Sequence, residues 1–186
     1  MKISLMTIWH CGNYGAEMQT YATMKALRKL GHDVEVLDFR LFESNHSLRS
    51  IVGRFLNAIT PAQRTFEKFW KKYIKNISCH YHNVAELRNN PPKSDVYLVG
   101  SDQVWNEDIT GDRSAAYLLD FGGENVKRIS YASSIGVSEW NFSQSYTEMA
   151  SKQFKKFVAL SCREITGANV LSQKFKLNVK QVLDPT

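Results

Sequence analysis

The chain has 186 residues, 43% of them hydrophobic and 23% charged, a length and balance that fit one large globular domain and exclude a disordered or fibrous polymer. No run approaches the roughly 20 apolar residues of a membrane span, and the apolar start Ile3 to Trp9 is too short for a secretory leader. The net charge of +6 does not read as a nucleic-acid surface, because much of the excess sits in one run, Arg64 to Lys75, rather than across a face with interleaved aromatics.

Ile3 to Trp9 reads as a buried strand. It is followed by the turn His10-Cys11-Gly12-Asn13-Tyr14-Gly15 and a helix from Ala16 to Leu30, which Gly31 ends as a C′ residue. Val34 to Phe39 is a second strand that stops on Arg40. Strand, glycine-bearing turn, helix and strand within 40 residues form a βαβ unit, which implies a parallel sheet with right-handed crossovers. From Leu41 to Lys93 the pattern changes to helices without strands. One helix is expected over Leu48 to Ile59. A second follows Thr60 and Pro61, with Phe66, Phe69, Trp70, Tyr73, Ile74 and Ile77 at helical spacing, and its aromatic stripe reads as a packing face.

Lys68, Lys71, Lys72 and Lys75 lie opposite that stripe as a solvated face, with contact to an anionic surface as the alternative. Cys79-His80-Tyr81-His82 gathers metal-capable side chains, but no second pair of ligands stands at a usable spacing, and no metal site is expected. The three cysteines, Cys11, Cys79 and Cys162, are widely spaced with no Cys-x-x-Cys, which fits a reducing, cytoplasmic setting.

After a short helix at Val84 to Asn90 and the breaker Pro91-Pro92, Val96 to Val99 is a buried strand that breaks at Gly100 into Ser101-Asp102-Gln103-Val104-Trp105-Asn106. Ala116 to Phe121 reads as a short extended segment, and Arg128 to Ser133 as a strand ending in Ser134-Ile135-Gly136. Phe142 to Phe157 carries helical periodicity, Val158 to Ser161 is a strand breaking at Cys162-Arg163-Glu164, a helix spans about Glu164 to Lys174, and Val179 to Leu183 is a last strand running into Asp184-Pro185-Thr186. The fold class is therefore α/β, a three-layer Rossmann-like parallel sheet with helices on both faces. The organisation expected is a single domain over 1–186 with a helical insertion at about 42–90. All the polar strand ends fall on one sheet edge, where α/β proteins bind ligands.

Asn13 and Gly15 open a helix, whose free N–H groups favour an anion, though a tight turn needs the same residues. The turn lacks the full Gly-x-Gly-x-x-Gly spacing, so no dinucleotide cofactor is expected. Asp102 is the candidate base or sugar-hydroxyl acceptor, with Ser101 and Gln103 as hydrogen-bonding partners for a sugar or as caps of the following turn. Trp105 offers either a stacking face or packing. Arg40 and Arg163 suit a phosphate or carboxylate fork, or pair with Asp38 and Glu164. His10 is a candidate proton carrier or a structural turn residue.

Asn13-Tyr14-Gly15-Ala16 with Gln19, Leu37-Asp38-Phe39-Arg40, Val99 to Asn106, Tyr117 to Phe121, Lys127 to Gly136, Ser161 to Glu164 and Val182 to Thr186 occur in the order of the polysaccharide pyruvyl transferase family. The sequence resembles that family nearly end to end. The resemblance implies a bacterial transferase that moves pyruvate from phosphoenolpyruvate onto a sugar of a cell-surface polysaccharide as a ketal, with a GT-B-like architecture. It adds Gln19, Asn106 and Ser134 to the substrate-binding set, needs no cofactor, and implies a sugar acceptor, polysaccharide precursor or lipid-linked, with peripheral membrane contact and no nucleic acid.

In the family, Asp-Pro-Thr precedes a second lobe. The expectation is that 1–186 is the N-terminal lobe, inactive without the C-terminal lobe. A lobe of a nucleotide-sugar glycosyltransferase of similar fold, or a non-catalytic binding or assembly module, are the other readings.

Overall fold

A computed structural model describes residues 1–41 and 61–186. The helix expected over Leu48 to Ile59 lies outside the described residues. Seven strands, β1 (Lys2–Met6), β2 (Asp33–Phe39), β3 (Ile77–Tyr81), β4 (Val96–Val99), β5 (Lys127–Ser130), β6 (Phe157–Cys162) and β7 (Val179–Gln181), form one sheet in the order β3-β2-β1-β4-β5-β6-β7. Every pairing in it is parallel. This is the Rossmann order extended by one strand, with its topological switch point between β1 and β4.

Strand period two divides the core between the faces of the sheet. Ile3, Leu5, Val34, Val36, Val96 and Leu98 pack in one cluster with Met24 of helix α1 (Tyr14–Lys29) and with Phe66 and Trp70 of α2 (Pro61–Tyr73). Met6, Leu37, Phe39, Tyr97 and Val99 pack in the other. There they meet Leu87 of α3 (Val84–Asn89), Val104 and Trp105 just before the short helix α4 (Glu107–Thr110), and the helix α5 (Ser114–Tyr117) with the loop after it. Tyr146 and Phe154 of α6 (Gln144–Phe154) and Leu171 of α7 (Ile165–Phe175) complete this cluster.

Three expectations are corrected. The second predicted helix does not run to Ile77, and the stretch Leu41 to Lys93 is not strand-free. α2 stops at Tyr73, Asn76 takes a left-handed φ of +67°, and β3 then adds to the sheet edge beside β2. An edge strand with one solvent-facing side needs no apolar run, so Ile77-Ser78-Cys79-His80-Tyr81 shows little of a strand signature. Likewise, Ala116 to Phe121 is not extended. Leu118 N–H closes a helical turn on Ser114 O at 3.0 Å, and Leu119 follows at φ +55°. A short apolar run buried on all sides reads alike as strand or helical turn.

Candidate functional site

Two groups of side chains stand at the carboxyl edge. The first surrounds the loop after β1. Trp9 is buried and its indole N–H donates to Leu37 O at 2.8 Å. His10 adopts φ +59° and stacks on Trp70, with centroids 3.7 Å apart and planes at 20°. Burial, then the charge of Arg40, lowers the His10 pKa to about 4 against a partial opposing pull from Asp38, so the ring is neutral at pH 7.

Asp38 accepts both Nε and Nη2 of Arg40, at 2.9 and 3.1 Å, and stands 3.2 Å from His80 Nδ1. Burial alone would raise the Asp38 pKa, but these partners hold it below the ordinary value. A cleft of about 380 Å³ opens among Trp9, His10, Asp38, Arg40, Trp70 and Lys71, with Glu67, Ile74 and Ile77 also lining it. Its wall carries the partly exposed His10 ring beside a carboxylate–guanidinium fork, with Trp9 and Trp70 buried behind it.

Glu17 organises this group and was not foreseen from the sequence. It is 2% exposed, accepts the Trp70 indole N–H at 2.6 Å and the Cys11 N–H at 3.2 Å, and its pKa is raised by burial. It thereby ties the β1 loop to α2. The available signal was the run of polar residues on the buried face of α1, with Glu17, Gln19, Thr20 and Thr23 all buried.

The second group lies beyond β4, β5 and β6. Isolated bridges Asp102↔Ser133 and Ser133↔Cys162 carry the sheet pairing past the strand ends. Asp102 has φ +98°, uncommon for a residue with a β-carbon, and its Oδ1 accepts the Gln103 N–H at 2.7 Å. Burial raises the Asp102 pKa, Gln103 N–H and Arg163 pull it down, and Asp184 pushes it up again. Arg163 donates to Glu164 at 2.6 Å and stands 3.6 Å from Asp184, which also accepts the Ser101 hydroxyl. Asp184 is held below its ordinary pKa by Ser101, Thr186 and Arg163 against the effect of burial. Burial also raises the pKa of the Cys11 thiol, and the charges of Glu17 and Asp102 push it the same way.

The remaining expected site residues are held by contacts within the protein. Asn13 Oδ1 accepts Gly15 and Ala16 N–H at 2.8 and 3.3 Å, so the protein's own oxygen fills the anion seat at the start of α1. Gln19 is buried and its amide props Thr7 and Ile8 from below. Trp105 is fully buried, edge-on to Phe154 at 4.9 Å, and leaves no face for a sugar. Asn106 caps α4 and receives its shape from Gln103, 3.1 Å away. Ser134 is buried between Glu164 and the Gly136 N–H, and Ser101 is buried with its hydroxyl on Asp184. Left facing solvent at the edge are His10, Arg40, Asp102, Gln103 and Arg163, with Asp38 and Asp184 as partners. Gln103 also lines a cleft of about 270 Å³ with Gly136, Glu164 and Thr166.

Among the described residues, no cluster of three His, Cys, Asp or Glu side chains is arranged to hold a metal ion, and no helix is long and apolar enough to cross a membrane. No curated protein and no solved structure matches the chain. A family model for polysaccharide pyruvyl transferase matches residues 13–186, a span that takes in Asp38, Arg40, Asp102, Arg163 and Asp184, and the chain therefore belongs to the polysaccharide pyruvyl transferase family.

Proposed function

We propose that residues 1–186 form the acceptor-side lobe of an enzyme that transfers pyruvate from phosphoenolpyruvate to a sugar of a cell-surface polysaccharide as a ketal, with a second lobe completing the donor site. Asp102 carries this reading. It is a half-buried carboxylate with a raised pKa, on strained backbone at the switch point, with a guanidinium close enough to pull on its charge.

In the transfer, a sugar hydroxyl gives its proton to Asp102 as its oxygen adds to C2 of the enol phosphate, while C3 gains a proton from a general acid. Phosphate then leaves, and a second hydroxyl of the same sugar closes the ketal on C2 and loses its own proton. Phosphoenolpyruvate and a diol thus give a ketal and inorganic phosphate. A carboxyl whose pKa is raised by burial is a stronger base than an ordinary aspartate, which suits it to accept a hydroxyl proton as the bond forms. Arg163 is the cation placed for the substrate carboxylate or phosphate. The cleft lined by His10, Asp38 and Arg40, which Asp102 does not line, receives a further unit of the acceptor beside the one whose hydroxyl reaches Asp102.

The test is turnover by the intact gene product supplied with either phosphoenolpyruvate or a panel of nucleotide sugars. Acceptor-dependent phosphate release with a ketal product is expected. Turnover of a nucleotide sugar alone would replace this reading with a glycosyltransferase.

A further inference from the structure

We propose that the outer face of α1 and α2 docks on an anionic lipid surface. Tyr14 and Met18 of α1 are 67% and 45% exposed, and Tyr73 of α2 is 38% exposed. These side chains belong to one continuous row. The Tyr14 ring lies 4.7 Å from Phe66, and Tyr21 joins Phe69 at 5.9 Å and Tyr73 at 5.5 Å. Cations stand along it, with Lys25 Nζ 5.4 Å over the Tyr21 ring and Lys72 Nζ 4.9 Å over the Tyr73 ring. Lys68 is exposed one turn before Lys72.

The acidic side chains of these two helices face elsewhere. Glu17 is buried under Trp70, and Glu67 lines the cleft beside His10. Residues 64–75 therefore carry five cationic side chains against one carboxylate, and neither helix presents an exposed carboxylate among its described side chains.

Tyrosines and a methionine, whose apolar bodies enter the interfacial layer, together with lysines that reach phosphate headgroups, match a lipid surface in both chemistry and sign. A soluble polyanion would use the lysines and have no use for Tyr14 or Met18. α2 also supplies Trp70 and Lys71 to the cleft wall, so docking would set the cleft next to a membrane-carried acceptor. That last consequence rests on the proposed function, whereas the docking itself does not.

The test is co-sedimentation of the protein with vesicles of phosphatidylcholine containing phosphatidylglycerol, against vesicles of phosphatidylcholine alone, with no phosphoenolpyruvate present. Binding to the anionic vesicles only is expected. Each lysine near such a surface contributes about fivefold, so the Lys68→Gln/Lys72→Gln variant should partition roughly 25-fold more weakly. Tyr14→Ser/Met18→Ser should abolish the part of the binding that survives high salt. All four positions are at the surface, and circular dichroism confirms that the variants fold.

The proposal is overturned by absence of vesicle binding, by binding that neither variant changes, or by equal affinity for soluble dextran sulfate with no effect of Tyr14→Ser/Met18→Ser. Because the assay involves no transfer step, failure of phosphoenolpyruvate turnover and failure of vesicle binding remain separate results.

Discussion

The backbone at Asp102 gives a prediction whose sign is diagnostic. At φ +98° a β-carbon costs about 1–2 kcal/mol, which glycine escapes. Glycine also brings extra freedom to the unfolded chain, worth about 0.5–1 kcal/mol in favour of alanine at an ordinary extended residue. Asp102→Gly and Asp102→Ala both delete the carboxylate and the 2.7 Å bond to Gln103 N–H, so those losses cancel in the comparison. What remains favours glycine, by about 0.75 kcal/mol at the middle of these ranges, the reverse of the usual order. In urea unfolding, with a slope of about 2 kcal/mol per molar, the glycine variant should have a midpoint roughly 0.3–0.5 M above the alanine variant. An alanine variant equal to or more stable than the glycine variant would refute the left-handed backbone and the strain argued from it.

Other consequences follow from neighbouring groups. A β-carbon on Gly136 would lie 2.2 Å from Gln103 Oε1, at φ +68°, so Gly136→Ala should lose about 1–3 kcal/mol in thermal unfolding and turn Gln103 away from its cleft. His10 titrates at 6.5 when unfolded and about 4 when folded; the unfolded state alone takes up the proton as pH falls through that interval. Stability from this group is full above about pH 6.5 and lost toward pH 4, by roughly 1–2 kcal/mol once solvent screening of the partly open ring is allowed for. His10→Asn should flatten that part of the urea-midpoint profile, and the His10 proton resonance should titrate near 4.

Arg128 is 3% exposed and donates to Leu119, Phe121 and Val126 carbonyls at 3.0, 2.6 and 3.0 Å. Arg128→Met orphans those oxygens and should cost about 3 kcal/mol or more, and Arg128→Lys should not restore it, because an ammonium cannot span the fork.

The sheet was legible in the sequence because buried parallel strands are apolar runs, and β1, β2, β4 and β6 stand out that way, while β5 and β7 carry fewer apolar residues and show through the polar turns that bound them. β3 was not, since as an edge strand it is packed on one side only, and α5 was not, since total burial erases periodicity. Within the site, residue type and strand-end position located Asp102, Arg40 and Arg163 on the edge. They did not separate side chains that face solvent from those that hold the turns. Trp105, Asn106, Ser134 and Ser101 carry ligand-like chemistry yet are turned inward, a distinction that depends on tertiary packing. Conversely, Glu17 reads as an ordinary first-turn acid of a helix, and its hold on Trp70 joins residues 53 positions apart. The Asp38–His80 contact was hidden for the same reason as β3: it exists only because that strand pairs with β2.

The central claim is that Asp102 takes the proton of the attacking sugar hydroxyl. It is tested most directly by acceptor-dependent phosphate release from phosphoenolpyruvate, comparing the intact gene product with its Asp102→Asn variant, which keeps the shape and removes the base. A kcat lower by about 10²- to 10⁴-fold with little change in the KM for acceptor is predicted, whereas turnover equal to that of the unaltered protein would contradict the account.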